Sequence, residues 1–199
     1  RARALRNGLG PIIASRAVQT GVFYAGEAFL LLGLQNLRGL DTLQAGLALT
    51  IGSLGWSFGS WLQARIRLRR DRIITAGTCL VALGMAGITV FLTWVGVPLW
   101  IGVAAWTLAG CGMGLTVSST AVATMALSSP REQGRNSGAL LVAESIGSSV
   151  MTALTGACYA VLLAEGVPAF GWIFLMLLAA SVLAIATSLR IGPVHDVAG

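Results

Sequence analysis

The chain has 199 residues, of which 56% are hydrophobic and only 10% charged, with a formal net charge of +6. Soluble domains carry about a quarter charged residues, so this balance, with a mean hydropathy of +0.83, excludes an ordinary soluble protein and points to the bilayer. A membrane-crossing helix needs about 20 mostly apolar residues. The apolar stretches predict six of them, at about 12–34, 44–64, 73–95, 99–127, 137–163 and 169–189. Pro98, Pro130 and Pro168 stand at or near helix entrances, where a missing N–H costs little.

The first span contains GVFYAGEAFLLLGL, in which Glu27 is the one charged residue. At 100° per residue, Arg16, Thr20, Tyr24 and Glu27 share an arc of about 80°, a polar stripe on an otherwise apolar helix. Intramembrane charge is costly, so such a stripe is expected to face a bundle interior or an aqueous cavity. A carboxyl withdrawn from water has its charged form disfavoured, which suits proton uptake and release near neutral pH. The alternatives are a neutral Glu27 bonded to a neighbouring helix, or one close enough to the interface to stay solvated.

In the second span Gly52, Gly55 and Gly59 share a face, and in the fourth Gly110, Gly114 and Ser118 form a row of small residues. Such rows let helix backbones approach closely. Trp106 lies beside the second row and either lines a cavity or packs, whereas Trp94, Trp100 and Trp172 fall near span ends as interfacial anchors. The fifth span repeats the polar stripe of the first, with Ser137, Glu144, Ser148, Thr152, Thr155 and Tyr159 within about 80° of one another.

All thirteen basic residues are arginine, and six crossings place twelve of them on one side, leaving Arg38 alone on the other. This asymmetry predicts cytoplasmic termini in a multi-pass protein of the cell membrane. The net charge is then a report of topology and of attraction to anionic lipid, not of nucleic-acid binding. Cys79, Cys111 and Cys158 have no metal-ligand spacing and read as packing residues, while the single histidine, His195, lies in the C-terminal tail. No metal or cofactor is expected. The chain begins with Arg1 rather than methionine, which is expected of a segment starting partway through a longer protein.

Residues 46–57, GLALTIGSLGWS, align with residues 138–149, GALLVAESIGSS, at an offset of 92. Gly46, Leu49, Ser53, Gly55 and Ser57 coincide with Gly138, Leu141, Ser145, Gly147 and Ser149. The same offset carries the first span into the fourth and the third onto the sixth. The expected architecture is therefore an all-α membrane bundle of six helices arranged as a 3+3 inverted repeat.

GLALTIGSLGWSFGS, WTLAGCGMGL and REQGRNSGALLVAESIGSSVMTALTGA resemble the C-terminal six helices of a major facilitator superfamily transporter, more specifically bacterial members related to drug exporters. The resemblance covers nearly the whole chain. It implies a missing N-terminal six-helix half, alternating access, and proton-coupled export of small hydrophobic or amphipathic molecules. It also implies that Glu27, Tyr24, Thr20 and Trp106 border the substrate and proton pathway. Glu144, Ser148, Thr152, Gly55 and Gly147 would then lie at the interface between halves. The family's loop motif is degraded in GSWLQARIRLRR: Gly59 fits, Gln63 replaces the acid, and Arg65, Arg67, Arg69 and Arg70 follow. That loop is either a remnant gate or a topology-setting arginine cluster.

Three rivals compete. A serine or metal-dependent intramembrane protease lacks a placed histidine and zinc-ligand spacing, and a channel lacks a TVGYG-like filter. A non-transporting six-helix protein, or a half that pairs with another subunit, stays open.

Overall fold

The computed structural model describes residues 8–66 and 68–194. Its six helices are α1 (Leu9–Asn36), α2 (Thr42–Arg65), α3 (Arg70–Thr93), α4 (Leu99–Ala126), α5 (Gln133–Ala164) and α6 (Ala169–Ser188). Each expected span lies within, or within two residues of, one of them. Local sequence sets the boundaries. Gly8 enters α1 at φ 98°, and Asp41 and Gln44 close a reciprocal capping box on α2. Pro98 and Pro168 precede α4 and α6, and Gly39 and Gly166 take positive φ just beyond α1 and α5.

Among the described residues, five helices are long and apolar enough to cross a membrane, and α2 falls short. Its apolar residues are diluted by Gln44, Thr50, Ser53, Ser57, Ser60 and Gln63, and its 24 residues span about 36 Å at 1.5 Å each. The chain is a multi-pass membrane bundle.

Helices α1 and α4 form its centre. The principal partners of α4 are α2 and α3, and those of α1 are α5 and α6, while α3 and α6 close the side away from α2 and α5. The core between them holds Val22, Phe23, Met85, Phe91, Trp106, Met113 and Phe174. A smaller cluster of Ile12, Ile74, Ala123, Leu140, Ile191 and Val194 seals the arginine-bearing end.

The two small-residue rows meet. A Cβ added at Gly55 would lie 2.1 Å from the Thr107 carbonyl oxygen, and one at Gly59 equally close to that of Cys111. From the other side Gly110 abuts Gly52 and Gly114 abuts Trp56. Backbone contact between α2 and α4 thus replaces the hydrophobic drive that lipid cannot supply. Gly147 makes the corresponding crossing between α5 and α1, with the Ala17 carbonyl oxygen 2.0 Å from its would-be Cβ.

At the opposite end Arg38 caps α3. Its guanidinium donates to the carbonyls of Phe91, Trp94 and Val95 and lies 4.0 Å above the Phe91 ring, a cation at the negative end of a helix dipole. Trp94, Trp100 and Trp172 are exposed at this end.

Candidate functional site

The polar stripe of α1 divides into a buried lower part and an open upper part. Arg16, counted on the arginine-rich side and placed at the start of the polar stripe, lies two turns inside α1, and only 4% of it is exposed. A charge there requires partners. Its Nε and Nη2 donate to Oε2 of Glu144 at 3.1 and 2.6 Å, and Nη1 donates to the Val117 carbonyl and the Thr120 hydroxyl, both at 2.7 Å. Glu144, expected to face the missing half, is thereby tied to the interior of this bundle with its side chain 20% exposed.

A second layer lies one turn along. Gln19 donates to Thr116 at 3.0 Å and accepts from Thr78 at 3.1 Å, joining α1, α4 and α3. Thr20 is fully buried and donates back to the Arg16 carbonyl at 2.8 Å, so it supports the helix rather than presenting its hydroxyl to an open surface.

Above this layer the stripe opens. Tyr24 is exposed and Glu27 half-buried. The Tyr24 ring lies 6.5 Å from that of Trp56 on α2, and its phenol is within electrostatic reach of Glu27, Glu144 and Arg16. Glu27 makes no hydrogen bond or ion pair among the described residues. Behind it stands an aromatic wall: Phe23 stacks on Trp106 at 4.5 Å and meets Trp56 edge-on at 5.4 Å. Trp106 is 2% exposed and sealed behind Gly52, so it backs this wall instead of forming its surface. The open face therefore belongs to Tyr24, Glu27 and Trp56. Trp56 was not singled out as a site residue, and the signal available for it was its place among the α2 glycines.

On α5, Ser148 and Thr152 are partly exposed, and the Ser148 hydroxyl donates to the Ser145 carbonyl. Gly55 and Gly147 lie at the α2–α4 and α5–α1 helix crossings. The surface α5 presents outward is instead apolar, with Leu141, Ile146, Val150 and Leu154 each more than half exposed.

The loop cluster separates into distinct contacts. Arg65 lies 4.4 Å above the Trp61 ring, and Arg70 donates to Gln63 Oε1 at 2.7 Å. Arg69 forms two bonds with Asp71, at 3.1 and 2.9 Å, and Asp71 also accepts from the Val194 amide at 3.2 Å. Arg67, Arg1, Arg3, Arg6 and His195 lie outside the described residues.

Among the described residues, the six packed helices thus enclose one internal ion pair and leave one carboxylate of a span, Glu27, open. The family model of the Major Facilitator Superfamily matches residues 3–152, three quarters of the 199 residues. The chain belongs to that superfamily. A comparison with curated proteins found no match.

Proposed function

We propose that the chain is the C-terminal half of a secondary active transporter that works by alternating access, exporting small hydrophobic or amphipathic molecules in exchange for protons. An N-terminal six-helix half would cover the α2 and α5 side, where most of the uncovered apolar surface of those helices lies. The contact pattern supports a 3+3 inverted repeat: exchanging α1 with α4, α2 with α5 and α3 with α6 turns the α2–α4 pair into α5–α1 and the α3–α4 pair into α6–α1. The arginine distribution supports cytoplasmic termini in the cell membrane.

One observation carries the reading. Of the two acids deep in the described spans, Glu144 is held by Arg16, whereas Glu27 has no hydrogen bond or ion pair and neighbours Tyr24, whose ring faces Trp56. Glu27 is the residue free to exchange a proton or meet a substrate, and Tyr24 is its neighbour on that surface. The test is Glu27→Gln in the complete protein, reconstituted in proteoliposomes with an imposed pH gradient. Proton-driven transport is expected to disappear while insertion and folding persist. Transport at the parental rate would remove Glu27 from the mechanism, and a full chain with no transport in either form would favour the non-transporting reading.

A further inference from the structure

The arginine-bearing end of the bundle contains a cavity of about 390 Å3 between the start of α3 and the end of α6, away from the α2 and α5 side. Arg72, Thr75, Ala76 and Cys79 form one wall, and Leu189 and Ile191 the other. Asp71 also borders it, but both its oxygens are engaged by Arg69 and the Val194 amide, so its charge is compensated. Arg72 is exposed, and its side chain has no hydrogen bond or ion pair among the described residues. The Arg190 side chain, next to Leu189, is in the same condition. Arg72 therefore gives the cavity an unspent cation in its lining, and Arg190 stands in sequence between the lining residues Leu189 and Ile191.

The wall beneath it is apolar. Arg72, Ala76, Cys79 and Leu83 follow one another at helical spacing along one face of α3, and Ile185 and Val182 do so on α6 below its C-cap Leu189. Leu83 and Val182 are 60% and 58% exposed. A guanidinium at the end of a membrane span, set above the exposed apolar side chains that flank the α3–α6 furrow, matches one kind of molecule. It must be an anion at one end and a hydrocarbon at the other.

We propose that this cavity binds the phosphate of an anionic glycerophospholipid, with Arg72 as its principal contact, Arg190 as a second cation, and an acyl chain lying along the α3–α6 furrow. Arginine suits the role because its planar fork donates two parallel hydrogen bonds to a phosphate. Basic recesses between helices at this depth attract anionic headgroups. A free phosphate would satisfy the mouth and leave the furrow unfilled. The site is independent of Glu27 and of the transport reading.

The experiment uses the complete protein in nanodiscs containing equal amounts of phosphatidylglycerol and phosphatidylcholine, with retained lipid counted by native mass spectrometry. Phosphatidylglycerol should be retained on the order of tenfold over phosphatidylcholine. Arg72→Ala combined with Arg190→Ala should bring the ratio close to one. Ala76→Phe, which fills the furrow without touching a charge, should also reduce it, while Arg131→Ala with Arg135→Ala in the α4–α5 region should leave it unchanged. Millimolar inorganic phosphate should not displace the lipid. Equal retention of the two lipids, an equal loss in the Arg131 and Arg135 variant, or displacement by inorganic phosphate would overturn the proposal.

Discussion

Replacing Glu144 by leucine would leave the Arg16 guanidinium inside the bundle with only its Val117 and Thr120 contacts. Removing one partner of a fully buried ion pair costs about 3–5 kcal/mol, because the remaining charge stays desolvated. The Glu144 side chain is 20% exposed, which admits water and places the expected loss near the lower end, about 3 kcal/mol. Arg16→Met strands the better solvated partner and should cost about 2 kcal/mol. Independent effects would then sum to about 5 kcal/mol, but the double variant removes both charges and should lose only about 2 kcal/mol, a coupling of about 3 kcal/mol. Equilibrium unfolding of the complete protein in mixed micelles measures all four corners of this cycle. A coupling below about 0.5 kcal/mol would show that the two residues act independently and refute the internal lock.

Two further outcomes follow from the packing. Gly147→Ala should lower the thermal midpoint of the purified protein markedly, since its Cβ has no room beside Ala17, whereas Gly138→Ala on the same helix, with open space around it, should be neutral or mildly stabilising. Arg38→Ala should speed hydrogen exchange at the last turn of α3 and cost about 1 kcal/mol, the value of a cation on a helix C-terminus.

Much of this architecture is legible without coordinates because lipid imposes simple demands. A span must be long, mostly apolar and bounded, and the prolines, the arginine asymmetry and the 92-residue offset all depend on the chain alone. The glycine rows of α2 and α4 could likewise be identified, though not that each was the other's partner. Long-range pairing is where the sequence falls silent. Arg16 and Glu144 are 128 positions apart, and helical periodicity places each on a face without saying which faces meet. Arg16 could be placed on an inward stripe, but a bundle interior and an aqueous cavity leave the same pattern; only the packing of α5 across α1 shows that it is buried against Glu144. Trp106 and Thr20 were legible as inward residues, yet inward toward a core and inward toward a pathway carry the same pattern. Gln19, Thr78 and Thr116 escaped notice because neutral polar residues singly scattered through apolar helices carry no positional signal until three helices bring them together.

The Arg16–Glu144 bond has an electrical consequence. Two opposite charges that travel together carry no net charge through the transmembrane field, so voltage exerts no pull on the pair as a unit. Among the described residues deep in the spans, Glu27 is the carboxylate left to feel that field, at up to about 2.3 kcal/mol per elementary charge for each 100 mV traversed. Protonation would silence it. A conformational step that carries Glu27 through part of the membrane would therefore depend on voltage when the residue is ionised and lose that dependence when it is neutral.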